Sequence, residues 1–328
     1  MGRITKFIIN NKYVIMIMSI ITICIIGILT IKGLSNEFSK VYYIDEWAIY
    51  NCGQTVDGNK GTSGYDINII PAWDITKGRS DVLIAVIDTG VDESCDIFQT
   101  TKLLSGWDYY NNDSTTYDQY IHDYHGTYVC STIAKVAPEI TLLPVKFMES
   151  TSGGVEDAVK GIKYAIEQGA DIINCSWNFY DYNQELYDVI KDNPEILFVC
   201  AAGNYNANID YVDIYPCAYD LDNIINVLAI DNTGEIYSTS GYGKNTVHVA
   251  APGVSIKVTL PENDETYVDG TSVATAFVSA TAGLILSTDS SLNAVEIKEI
   301  ILKSVQPIKN IEDLCISGGM VNIYNSIK

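Results

Sequence analysis

Val82-Leu-Ile-Ala-Val-Ile-Asp-Thr-Gly90 is a run of six apolar residues, four of them β-branched, halted by an aspartate, a small hydroxyl and a glycine. An uninterrupted apolar run of this length, closed by turn formers, reads as a strand buried on both faces. The signature recurs downstream, where Ile140–Phe147, Asp171–Ser176, Ile196–Ala201 and Ile224–Ile230 are predicted strands. Between them the apolar spacing becomes helical. His125–Val136 is one predicted helix and Val155–Gln168 another. In the second, Val155, Ala158, Val159, Ile162, Ala165 and Ile166 recur every three or four residues, and Gly169 supplies the stop. Strands alternating with helices predict an α/β fold, a mostly parallel sheet with helices on both faces. Functional groups in such sheets gather beyond the carboxyl ends of the strands. Asp88 stands at one such end, and Ser176 and Asn204 follow two others.

Four short strings carry the chemistry: Asp88-Thr-Gly, His125-Gly-Thr, Ala201-Ala-Gly-Asn204 and Gly270-Thr-Ser272. Each sets a reactive side chain beside glycine, where the backbone turns sharply. Aspartate, histidine and serine are the parts of an activated nucleophile. Serine attacks, histidine takes its proton, and aspartate fixes the imidazole tautomer. The order Asp, His, Ser is one of the recurring chain orders for that set, and Asn204 is the candidate oxyanion donor. Taken singly, each residue has a plainer reading. Asp88 and Asn204 would be turn formers. Ser272, at the start of a small-residue helix predicted over Thr271–Leu286, would be an N-cap. Asp-Thr-Gly also serves in paired-carboxylate chemistry, but the chain has no second such string, so that reading needs a homodimer and leaves the other strings unexplained. Of the other histidines, His122 lies in the polar Tyr120-Ile-His-Asp, and His248 alternates with apolar neighbours like a half-exposed strand residue.

The flanks agree with the strings. Ala250-Ala-Pro-Gly253 precedes the serine and Val273-Ala-Thr-Ala276 follows it, while Asp45-Glu-Trp47, Asn51, Gly53-Gln-Thr55 and Ala72-Trp-Asp-Ile-Thr-Lys-Gly78 lie upstream. From about Tyr42 to its C-terminus the chain resembles the subtilisin-family (subtilase) serine proteases. The resemblance implies a subtilisin-like α/β fold and peptide-bond hydrolysis through an acyl-enzyme. Asp88, His125 and Ser272 would be the triad, with Asn204 at the oxyanion. It implies peptide or protein substrates, bound by strand addition between Ser152-Gly153-Gly154 and Ser176-Trp177-Asn178. The side chain before the cut bond would enter between Ser176–Asn178 and Ala201-Ala202-Gly203. Ile214, just before Tyr215-Pro216, would form the floor and favour small or medium apolar residues. A one-residue shift would bring in Asp213 and favour arginine or lysine.

Departures from the family pattern are local. Asn178 stands where glycine is usual, Tyr128 and Phe277 where histidines are common, and Ala276 where proline usually follows the nucleophile. Lys135-Val-Ala-Pro-Glu139 leaves no room for the family's calcium loop, so no cofactor or metal is expected there. These departures also admit an alternative from another class: a catalytically weak subtilase-fold binding or processing-partner module at the cell surface.

The chain has 41 acidic and 20 basic side chains, a net charge of −21. No nucleic-acid partner is expected, since phosphate recognition needs a basic face. Val14–Ile31 is an uncharged apolar run of 18 residues with Arg3, Lys6 and Lys12 before it. It is long enough to span a bilayer with the N-terminus inside. Leu29-Thr-Ile-Lys32 lacks a small-x-small cleavage pattern. The expected organisation is a basic tail (1–13), a signal anchor (14–31), a linker (32–41) and a peptidase domain (42–328). The protein would thus be single-pass, with its catalytic domain outside; secretion after signal cleavage is the alternative. Of eight cysteines, Cys24 lies in the apolar run. Cys130, Cys175 and Cys200 sit in apolar runs as core residues. Cys52, Cys95, Cys217 and Cys315 are left open.

Overall fold

The computed structural model describes residues 45–117, 123–150 and 152–328. The apolar run 14–31, Cys24 and His122 lie outside the described residues. A ten-stranded sheet is built from β1 (Leu83–Asp88), β2 (Lys102–Leu103), β3 (Trp107–Asp108), β4 (Thr141–Lys146), β5 (Ile172–Cys175), β6 (Leu197–Ala201), β7 (Ile224–Ile230), β8 (Val249–Pro252), β9 (Gln306–Pro307) and β10 (Gly319–Met320). Their spatial order is β9-β10-β8-β7-β6-β5-β1-β4-β2, with β3 also paired to β4. All pairings are parallel except β9 with β10. The chain leaves β1 toward β4 on one side. It returns to β5 on the other and then steps outward through β6, β7 and β8. β1 is therefore the topological switch point, where a crevice opens beyond the strand ends.

Both faces of the sheet are covered. Helices α1 (His125–Val136), α2 (Val155–Glu167), α3 (Gln184–Lys191), α4 (Thr271–Thr288) and α5 (Ala294–Lys303) account for the layers. Along β1, Ile84 and Ile87 point to opposite faces, because strand side chains alternate. A Cβ added at Gly283 of α4 would meet Ile84, whereas one added at Gly161 of α2 would meet Ile87 and Val145. So α4 and α2 press on opposite sides of the same strand, each through a glycine that lets it approach closely. The strand residues of β1, β4, β5, β6, β7 and β8 are buried throughout, as continuous apolar runs require.

Among the described residues, α4 is the helix long and apolar enough to cross a membrane, and 89% of that window is buried inside the protein. Its polar atoms are satisfied internally. Thr275, Thr281 and Ser287 each donate a hydroxyl to the carbonyl four residues earlier, at 2.7 Å. The seven cysteines of the described residues are free thiols, and all except Cys52 are buried. Cys95, Cys217 and Cys315 thus join Cys130, Cys175 and Cys200 in the core.

Candidate active site

Asp88 closes β1 and is 1% exposed. Its Oδ1 accepts the Thr89 backbone N–H at 2.7 Å and lies 2.6 Å from His125 Nδ1. Its Oδ2 is buried with no hydrogen-bond partner among the described residues, so the carboxylate's pairing is concentrated on the imidazole. His125 is the first residue of α1, with 23% of its side chain exposed. Burial pulls the imidazole pKa down. The charge and hydrogen bond of Asp88, with a further contribution from Asp123, outweigh that and hold it above its ordinary value. The Tyr128 ring packs edge-on against the imidazole at 4.8 Å between centroids.

The residues after Asp88 and His125 explain why two distant strings can meet. The Gly126 N–H donates to Thr89 Oγ1 at 2.9 Å, and the Asp92 N–H donates to Thr127 Oγ1 at 3.0 Å. Each string lends a threonine hydroxyl to the other segment's backbone. The glycines make the approach possible. A Cβ at Gly126 would lie 2.2 Å from the Gly90 carbonyl oxygen, and one at Gly90 would lie 1.6 Å from that of Thr116. Gly90 also sits at φ +97, a conformation that side-chain-bearing residues avoid.

Ser272 is the second residue of α4. Its Oγ donates to the Ser176 carbonyl at 3.2 Å, and the Ser176 hydroxyl donates to the Ser272 carbonyl at 3.0 Å. Behind this pair runs a buried chain. Asn174 Nδ2 donates to Ser176 Oγ at 2.9 Å, and Ser279 Oγ donates to Asn174 Oδ1 at 2.8 Å. The first N–H groups of a helix have no intrahelical acceptor, and the helix dipole is positive there. Asn204 faces the same point. Thr271 donates its backbone N–H to Asn204 Oδ1 at 2.9 Å and its hydroxyl at 3.1 Å. A backbone N–H only donates, so it identifies this atom as the oxygen. The Nδ2 donors of Asn204 therefore point away from Thr271.

His125, Ser272 and Asn204 line one cavity of about 690 Å³, together with Gly153, Ser176, Trp177, Asn178 and Ala201. Ser152, Gly154, Ala202, Gly203 and Ile214 are not among its lining residues. Of the two residues considered for the floor, Ile214 is 1% exposed and Asp213 is exposed on the surface. Ser152–Gly153 pairs with Met148–Glu149 as a short antiparallel hairpin, and Gly154 caps the start of α2. The Trp177 indole turns inward, donating to the Ile87 carbonyl at 2.7 Å and packing on Phe147 and Phe179. His248, which directly precedes β8, is spoken for elsewhere. Its Nδ1 accepts the Asn226 N–H at 2.9 Å, and burial, with the Lys298 charge, pushes its pKa down to about 3.

Sequence reasoning did not single out Asn174 and Ser279, nor the aromatic rim of Phe179, Tyr180, Tyr182 and Tyr205. Alternation within β5 marks Asn174 as a polar residue in an apolar strand, which is a usable signal. The rim carries none, because loop tyrosines have no period.

A family model described as the subtilase family matches residues 79–318. The chain is 33% identical over 269 residues to a thermophilic serine proteinase of Bacillus sp. strain AK1, covering 78% of this chain and 64% of that protein. It is 33% identical over 267 residues to thermitase of Thermoactinomyces vulgaris, covering 78% of this chain and 92% of thermitase. Its fold matches the crystal structure of a lanthipeptide protease with a TM-score of 0.71 at 21% identity, over 79% of this chain and 90% of that one. The connection between α1 and β4 is residues 137–140. Among the described residues, no group of three His, Cys, Asp or Glu side chains is placed to hold a metal ion. With its parallel sheet, its Asp88–His125 pair and these likenesses, the chain belongs to the subtilase family.

Proposed function

We propose that the protein is a serine endopeptidase in which Ser272 is the nucleophile, His125 the general base and acid, and Asp88 the group that orients the imidazole. The observation that carries this reading is the 2.6 Å contact between Asp88 Oδ1 and His125 Nδ1, on an imidazole that shares a cavity with Ser272 and Asn204. With Nδ1–H held by Asp88, Nε2 is left as the basic nitrogen. Ser272 Oγ exchanges its bond to the Ser176 carbonyl for one to Nε2, loses its proton there and attacks the substrate carbonyl. Such bonds are often loose before substrate binds. The tetrahedral oxyanion is met by Asn204 Nδ2 and the Ser272 N–H at the helix start. His125 returns the proton to the leaving amine, and water then repeats the sequence on the acyl-enzyme.

We further propose that residues 14–31 anchor the chain in a membrane with the catalytic domain outside. An uncharged run of 18 residues with a basic leading flank supports this. Two experiments test the two parts. A fluorophosphonate probe should label the full chain, and neither Ser272→Ala nor His125→Ala should be labelled at a comparable rate. Labelling of Ser272→Ala would refute the nucleophile. The full chain should stay with membranes through alkaline washing and lose its catalytic domain to protease added outside. A soluble product beginning near Gly33 would show signal cleavage instead.

A further inference from the structure

Asp123 is half-buried just ahead of His125, and its two carboxylate oxygens serve two different segments. Oδ1 accepts the His125 backbone N–H at 3.2 Å. Oδ2 accepts the backbone N–H of Ser150, which lies 27 residues further on. Ser150 follows the first strand of the hairpin in which Met148–Glu149 pairs with Ser152–Gly153. That hairpin is a wall of the site. Met148, Ser150 and Gly153 line the cavity that also holds His125 and Ser272, and Gly153 belongs to the edge on which strand addition would place a substrate backbone.

The hairpin has one anchor on the sheet. Glu149 Oε1 accepts from Lys146 Nζ at 3.1 Å and from Asn111 Nδ2 at 3.4 Å. Lys146 is 2% exposed at the end of β4, with Asp108 as its second carboxylate at 3.5 Å. Packing closes the base: a Cβ at Gly153 would lie 2.4 Å from that of Met148 and 2.9 Å from the Phe147 ring. Ser150, next after the anchor, sits at φ +54. A residue with a Cβ holds that left-handed conformation only where its surroundings enforce it. The bond to Asp123 is one such constraint, and it ties the hairpin to the His125 segment instead of the sheet.

A plainer role for Asp123 is to satisfy a free N–H at the start of α1 and to complement the helix dipole. That role needs one oxygen, and asparagine would fill it as well. It does not account for the oxygen turned to Ser150. Both oxygens of a carboxylate accept, whereas a carboxamide has a single acceptor and turns two donors the other way.

We propose that Asp123 is a positioning residue that joins the substrate-pairing hairpin to His125, so that a peptide extended along Gly153 is held in register with the imidazole. This rests on the endopeptidase reading above. Without the second oxygen the hairpin keeps only its Glu149 anchor, and a long peptide must order it on binding. A peptide too short to reach the hairpin escapes that cost.

The test compares two peptides cut at the same bond by the full chain in detergent. One extends several residues on the acyl side, and the other has a single blocked residue there. Fluorophosphonate labelling of Ser272 counts the working sites. The wild type should favour the long peptide. In D123N that advantage in kcat/KM should fall about tenfold or more, through KM, and hydrogen exchange at the Ser150 amide should speed up. D123A should do the same and also lower the melting temperature, which D123N, with one oxygen left for the His125 N–H, should hold near the wild-type value. A labelled D123N that keeps the long peptide's advantage overturns the coupling and leaves the peptidase reading standing. So does a loss of kcat alone, equal for both peptides, which is what a cap acting on His125 gives. A folded full chain that neither labels nor cleaves overturns both.

Discussion

The hydroxyl of Thr89 accepts the backbone N–H of Gly126 at 2.9 Å, and through that bond the segment after Asp88 is held against the start of the His125 helix. Thr89 is 4% exposed, so its replacement by valine keeps shape and removes the acceptor. The Gly126 N–H is then buried without a partner, at a cost of about 1–3 kcal/mol. Thr89→Val should lower the melting temperature and reduce kcat. A variant with unchanged stability and turnover would show that the glycine contacts alone hold the two segments.

Asp88 raises the His125 pKa above 6.5 against the opposing effect of burial. Activity needs the neutral imidazole, so the acid limb of kcat/KM should lie above 6.5 and rise with pH. In Asp88→Asn the limb should move to lower pH and turnover should fall on the order of 10⁴-fold. Stability runs the other way. The contribution of protonated His125 beside Asp88 is fully present below 6.5 and is lost as pH rises through the folded-state value. Rate profiles and thermal melts of both proteins across about pH 5–9 check this. An acid limb unmoved in Asp88→Asn would mean that another group sets it.

Asn204 is anchored through its oxygen by Thr271 and presents its amide donors. Asn204→Ala should therefore lower kcat by roughly 10²–10³-fold and leave KM near the wild-type value. Steady-state kinetics separate the two parameters. A change confined to KM would make Asn204 a substrate-positioning residue.

Ser272 is partly exposed at the head of α4, and its hydroxyl makes one bond, to the Ser176 carbonyl. Ser272→Ala should leave the melting temperature nearly unchanged and reduce hydrolysis to a residual of about 10³–10⁴-fold over water. Pure Ser272→Ala protein with full activity would refute the assignment.

Asn174 is fully buried in β5 and links Ser279 of α4 to Ser176. Asn174→Ala strands the Ser279 hydroxyl without its acceptor and frees the Ser176 hydroxyl. The expected cost is about 1–3 kcal/mol of stability. A fall in kcat should accompany it, since Ser176 holds the Ser272 backbone. Denaturant titration and kinetics on one preparation test both parts. Lost stability with unchanged kcat would confine Asn174 to a structural role.

The sequence by itself determined the kinds of element and where they stop. His125–Val136 and Ile224–Ile230 have the same bounds as the structure's helix and strand, because the apolar period and the stops after them, Pro138 and Asp231-Asn232, are local properties. It also placed the reactive side chains at strand and helix ends, where glycine marks sharp turns. Weak local signals were missed. β8 reads as Ala-Ala-Pro with little strand character, and α3 is short and polar. The Asn293–Glu296 capping box that opens α5 was a legible mark. Only the tertiary structure decided what meets what. Asp88 and His125 are 37 residues apart, and Asn174 and Ser279 are 105 apart. Whether such pairs touch depends on strand order, register and the depth to which glycine lets backbones approach. The same holds for Asn178. Its identity is plain in the sequence, but the direction of its amide was set by the carbonyl of Ala201, at the end of β6. A side chain's partner across a gap is a property of the packed chain, since no periodicity along the backbone encodes it.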